Sequence, residues 1–135
     1  MHPGWPKGAP DHAIAVSGGV QAPAAARHAV SPLLEPLLDD ERLQDAVLLV
    51  SEVVTNAVRH GRAGEGEEVR VALAVDDGYV RIEVHDPGDG FAPEPEPQRR
   101  GTGGMGLVLL DAITHRYGVE VDQGTSVWFD VPRAA

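Results

Sequence analysis

The chain contains no cysteine. Disulfide frameworks, thiolate metal sites and cysteine nucleophiles are therefore excluded. Lysine is almost as scarce, with Lys7 the single example, so a phosphate loop of the Walker A type cannot be built. Aromatic residues make up 4%, which leaves valine, leucine and alanine to fill the core. No apolar run approaches the roughly 20 residues needed to span a membrane. The start, MHPGWPKGAP, lacks the charged and apolar segments of a secretory signal, and the cytoplasm is the expected compartment. Positive charge is in deficit too: Lys+Arg 11 stand against Asp+Glu 21, a formal net charge of −10. Such a surface repels nucleic acid and anionic membranes, whose affinity for proteins rests on positive charge.

What is present suits one domain. The length is 135 residues and the hydrophobic fraction 42%, enough for a single core. Residues 1–11 read as a flexible tail, and 12–133 as the domain. HAIAVS, His12–Ser17, is a candidate first strand. Ala22–Leu38 follows a helical pattern in which Pro32 and Pro36 predict a kink or break. Asp39-Asp40 can cap the next helix, Arg42–His60, in which Ala46, Leu49, Val50, Val53, Val54 and Ala57 form an apolar face. Val69–Val75 and Val80–Val84 alternate as strands, and Asp77-Gly78 between them signals a hairpin. The stretch 86–103 is irregular. Met105–Arg116 reads as another helix, and Gly118–Val121 and Ser126–Val131 as the closing strands.

Four short pieces carry chemistry. In SEVVTNAVRH, Ser51–His60, Glu52 and Asn56 fall one turn apart on the border of the apolar face, in a stripe continued by Leu48 and His60. Ser51, Thr55 and Arg59 are expected to face water. Alone, a Glu–Asn pair at this spacing is most simply a solvated edge; it also suits magnesium chemistry, with a hard amide oxygen beside a carboxylate. The second piece is Asp86-Pro87-Gly88-Asp89-Gly90 at a strand end, a turn or a close backbone approach to a ligand. The third is GTGGMGL, Gly101–Leu107, a hinge or a phosphate-facing helix start, with Arg99 and Arg100 just upstream. The fourth is Gly124-Thr125 at the entrance of the last strand.

Together and in this order, the four pieces resemble the nucleotide-binding GHKL superfamily, over roughly Ile14 to Pro132. They are most similar to its small stand-alone branch of anti-sigma factor serine kinases and related bacterial regulatory ATPases. The fold implied is the Bergerat ATP-binding fold, an α/β two-layer sandwich. It has a mixed, mostly antiparallel sheet with helices on one face. The cofactors implied are ATP and Mg2+. By this resemblance Glu52 is the catalytic carboxylate, polarising the attacking hydroxyl or water, and Asn56 coordinates magnesium. Asp86 binds the adenine amino group, with Gly88 and Gly90 beside the base. Gly104, Met105, Gly106 and Leu107 form the phosphate-facing helix start. Arg100 is a candidate phosphate contact, Thr125 holds the adenine end, and 91–103 matches the ATP lid.

The activity implied is that of a protein serine/threonine kinase that phosphorylates a small anti-sigma factor antagonist. The resemblance adds a sigma factor as second partner, a homodimer, and no direct contact with nucleic acid or membrane. The alternative is a non-catalytic nucleotide-binding or partner-sequestering module of the same fold. A sensor histidine kinase needs a dimerising helical hairpin with a phosphoacceptor histidine. The residues before Glu41 are too few and too proline-broken for one. His28 and His115 show no metal-ligand pattern.

Overall fold

The computed structural model describes residues 3–60, 67–86, 110, 112–121 and 124–133. The elements are β1 (His12–Ser17), α1 (Ala22–Leu34), α2 (Asp40–His60), β2 (Glu68–Val75), β3 (Tyr79–Asp86), β4 (Arg116–Val121) and β5 (Thr125–Pro132). The strands form one sheet in the order β1-β2-β3-β5-β4. All four pairings are antiparallel, so the parallel component of the expected mixed sheet is not among the described strands.

Strand alternation sorts the sheet into two faces. Val69, Val71, Leu73, Val80, Ile82, Val84, Phe129 and Val131 point to one side and join Val30, Leu34, Leu49, Val50 and Val54 of the helices in one core. With so few aromatics, the core is mainly aliphatic, built around the single buried ring of Phe129, and its burial is worth about 25 cal/mol per Å². α1 packs on α2 and β1, while α2 lies against β3 and β5.

α1 opens with a proline in its first turn and buries Ala22, Ala26, Val30 and Leu34, a stripe at four-residue spacing. Pro32 lies inside the helix without ending it. It removes one donor near the C-terminus, but the Glu35 N–H still reaches the Ser31 carbonyl at 2.9 Å. The interruption expected from the two prolines therefore falls at Pro36, beyond Leu34. α2 begins two residues before the expected Arg42, because Asp39 caps it: the Arg42 N–H donates to Asp39 Oδ1 at 2.8 Å, and Asp40 and Glu41 occupy the positive end of the helix dipole.

The β2–β3 hairpin turns at Asp77-Gly78 as expected, closed by the Asp76 N–H on the Tyr79 carbonyl at 2.9 Å. Arg116 belongs to β4 rather than to the preceding helix. It pairs with Asp130 in register, and the Arg116 Nε to Asp130 Oδ2 contact of 3.2 Å draws it into the sheet.

The second face carries polar and small residues. Arg81 and Asp130 form a bidentate ion pair there, with Nε–Oδ1 at 2.7 Å and Nη2–Oδ2 at 2.8 Å, both side chains almost fully buried. Trp128 lies between Arg81 and Arg116, whose guanidinium carbons stand 5.4 and 5.7 Å from its ring, within cation–π range. The indole crosses β4 at Gly118, where an added Cβ would meet Trp128 Nε1 at 2.7 Å. Part of the N-terminal segment reaches this face, through Gly4, Trp5 and Pro10. The Gly4 carbonyl accepts from Arg81 Nη1, and Trp5 and Pro10 wall a groove of about 580 Å³ over Ala13, Ala15 and Ala72.

Candidate functional site

β3 places Asp86 at its last position, on the core side, following Val80, Ile82 and Val84 at two-residue spacing. The carboxylate is 3% exposed. β5 begins at Thr125, and the register sets Asp86 directly opposite it. Gly124 makes that entry with φ of 108°, a backbone conformation that glycine adopts without a steric penalty. The two residues expected at the adenine end thus share one end of one strand pair.

α2 brings the other half. Glu52 and Asn56 lie on its C-terminal half, partly exposed beside the buried Val53 and Val54. The chain leaves α2 at His60 and enters β2 at Glu68. The start of β2 is level with the end of β3, since Arg70 pairs with His85. Only seven residues separate His60 from Glu68 in sequence, and the start of β2 lies at the sheet end that carries Asp86 and Thr125.

The side chain of Asn56 is distinctive. Its Oδ1 is buried and has no hydrogen-bond partner among the described residues. A buried carbonyl oxygen left unpaired costs about 1–3 kcal/mol, so such an atom marks a place completed by something else. Among the described residues, no hydrogen bond or ion pair engages the Glu52 carboxylate.

One side of α2 differs from the wheel reading. Ser51 does not face water: it is 9% exposed, and its Oγ accepts from Arg27 Nη1 at 3.1 Å. α1 covers that flank, and Thr55, also expected in water, is half-buried with its hydroxyl on the Ser51 carbonyl at 2.8 Å. Arg59 is exposed as expected. Periodicity within one helix cannot reveal a second helix on its polar flank, so the Arg27–Ser51 contact had no local signal.

Behind the Asp86–Thr125 pair, on the opposite face, His85 Nδ1 and Ser126 Oγ are 2.8 Å apart. This hydrogen bond clamps the same strand ends from the reverse side. It too lies across two distant segments and carried no motif. Gly88, Gly90, Arg100, Gly104, Met105, Gly106 and Leu107 lie outside the described residues, as does the expected lid, 91–103. Among the described residues, no group of three or more His, Cys, Asp or Glu could hold a metal ion, and no helix is long and apolar enough to cross a membrane.

Comparison with known proteins agrees with this fold. The chain is 32% identical over 98 residues to the Serine-protein kinase RsbW of Bacillus licheniformis, covering 63% of this chain and 61% of that protein. It is 30% identical over 102 residues to the Anti-sigma F factor of Clostridium acetobutylicum, covering 67% and 68%. It thus spans about 61% of the length of the first of these relatives. Among solved structures, the RsbU and RsbW domains of a Mycobacterium tuberculosis protein superpose with a TM-score of 0.66 at 24% identity, covering 93% of this chain and 34% of that one. The blue-light activated histidine kinase of Erythrobacter litoralis gives 0.59 at 27%, covering 70% and 31%. Residues 20–131 match the family described as Histidine kinase-like ATPase domain, and the antiparallel sheet with its helix layer accords with it: the chain belongs to the histidine kinase-like ATPase domain family.

Proposed function

We propose that this chain binds ATP with magnesium and transfers a phosphoryl group to a serine or threonine hydroxyl of a small partner protein. It would thereby act as an anti-sigma factor-like switch in the cytoplasm. The observation that carries the reading is the buried, unpartnered Oδ1 of Asn56, one helical turn from Glu52 and on the helix that packs against β3 and β5. The names of the relatives, a serine-protein kinase and an anti-sigma factor, support the choice of reaction and partner. The partners in this reading are an anti-sigma factor antagonist, as phosphoacceptor, and a sigma factor.

The residues fit a magnesium ion. An amide oxygen is a hard donor of the kind magnesium prefers, and magnesium tolerates few protein ligands while keeping its waters. Asn56 alone can therefore hold it, without the acidic cluster that the described residues lack. When bound, the metal supplies charge neutralisation on the phosphates.

The remaining work falls to side chains of this chain. Asp86 accepts a hydrogen bond from the adenine amino group in a buried setting, where a polar mismatch is costly. Thr125, opposite it, offers a hydroxyl at the same end. Glu52 accepts the proton of the attacking hydroxyl as general base. Phosphoryl transfer depends mainly on positioning and electrostatics, and the rigid α2 supplies Glu52 and Asn56 at fixed spacing.

The test is a calorimetric titration with ATP, with and without magnesium, followed by transfer of labelled phosphate to a purified anti-sigma factor antagonist. Glu52→Gln is expected to bind ATP normally and to lose transfer by about 10²-fold or more. If neither ATP nor ADP binds at millimolar concentration, the chain is instead a partner-sequestering module of this fold. If ATP binds but Glu52→Gln transfers normally, Glu52 is not the base.

A further inference from the structure

The face of the sheet away from the helices carries two adjacent rows of opposite character. The strand registers set Ala15, Arg70, His85 and Ser126 side by side across β1, β2, β3 and β5. The neighbouring row begins with Ala13 opposite Ala72 and continues to Glu83. Alanine is under-represented in strands, and its small side chain leaves the sheet open to close approach. These alanines floor the groove of about 580 Å³ that Trp5 and Pro10 wall. Small-molecule sites usually have volumes of this order, about 300–1,000 Å³.

The polar row supplies donors. The chain has Asp+Glu 21 against Lys+Arg 11, so a carboxylate is easily found for an arginine. Arg42, Arg81 and Arg116 each have one. Arg70 has no hydrogen bond or ion pair among the described residues, and it stands exposed in the lining of the groove. Its planar guanidinium matches a carboxylate through two parallel N–H bonds. His85, directly opposite Arg70, is tied through Nδ1 to Ser126 Oγ at 2.8 Å. With the Ser126 hydroxyl donating, Nε2 carries the ring hydrogen and is a second donor in the same row. Glu83 ends the alanine row. It has an interaction of its own, and its negative charge directs an anion toward Arg70.

We infer that this groove is a second binding site, and that it takes a planar aromatic carboxylate. The ring lies on the alanine floor against the Trp5 indole, an arrangement that aromatic pairs favour when offset or edge-on. The carboxylate meets Arg70 and His85. Asp86 and Thr125 lie on the other, helix-covered side of the sheet, so this inference stands or falls separately from the nucleotide reading.

The experiment is a titration of the full chain with 2-naphthoate, followed by amide correlation NMR. Saturable shifts are expected at the backbone amides of Ala13, Ala15, Arg70 and Ala72. 2-Naphthamide, the same ring without the charge, is expected to bind at least about tenfold more weakly, the scale of a charge-assisted hydrogen bond. Arg70→Ala should weaken naphthoate binding to the same degree, and Ala72→Leu, which fills the floor, should abolish it. Circular dichroism verifies that both variants fold. No saturable shift at these amides up to millimolar naphthoate overturns the inference. So does equal affinity of the wild-type chain for the acid and the amide, and so does a shift pattern centred on Asn56 and Asp86.

Discussion

Asp86 and Thr125 face each other across the β3–β5 pairing, on the helix-covered side of the sheet. A carboxylate and a hydroxyl at one closed end can read an adenine edge together. Asp86→Ala is expected to weaken ATP binding by about 10- to 100-fold, the worth of a hydrogen bond to a charged group. Inosine triphosphate, which lacks the amino group, should bind wild type weakly and be little affected by the same change. Calorimetry of the four combinations decides the matter.

Asn56 predicts a trade between stability and binding. Its unpartnered Oδ1 burdens the unliganded fold, so Asn56→Leu should raise the melting temperature of the unliganded protein by roughly 2–6 °C. The same variant should lose magnesium-dependent ATP binding. Thermal melts with and without ATP and magnesium give both readings; a lower unliganded melting point would show that the amide is well satisfied.

The Arg81–Asp130 pair is nearly fully enclosed, and its hydrogen bond with Asp130 raises the Arg81 pKa further. Removing one partner strands a buried charge, at a cost of about 3–5 kcal/mol. Asp130→Ala should therefore lower stability by that amount in urea unfolding. The double change Arg81→Met/Asp130→Leu should recover most of it.

Acid stability has a defined sign. Asp11 accepts the Val75 N–H at 2.8 Å, which holds its pKa below the ordinary value, and the Arg42 N–H does the same for Asp39. Both carboxyls are more acidic folded than unfolded. Their stabilisation is present above the unfolded pKa and is lost as the pH falls through the lower folded value. Stability should drop on acidification below about pH 4, and Asp11→Asn/Asp39→Asn should flatten that acid limb in a dichroism titration at fixed urea.

The elements legible in the sequence were those whose signal is local. β1 follows from HAIAVS, the hairpin from Asp77-Gly78, and α2 from its apolar spacing and Asp39 cap. Glu52 and Asn56 were legible because a helix fixes which side chains share a stripe. Asp86 and Thr125 were legible as motif residues, but their direct opposition depends on the register of strands far apart in sequence. Long-range pairing also explains what was missed. Ser51 looked solvated until α1 lay beside it, the Arg81–Asp130 pair joins two strands with no motif in either, and the tail at Gly4 is held by Arg81, far along the chain.

The chain has two tryptophans, and both lie on the face opposite the helices, Trp5 beside the alanine-floored groove and Trp128 across Gly118. Intrinsic fluorescence is therefore an optical probe of that reverse face. With Trp128 replaced by phenylalanine, Trp5 is the remaining emitter and its spectrum reports docking of the tail at Arg81, while nucleotide binding near Asp86 is expected to be nearly silent at these wavelengths.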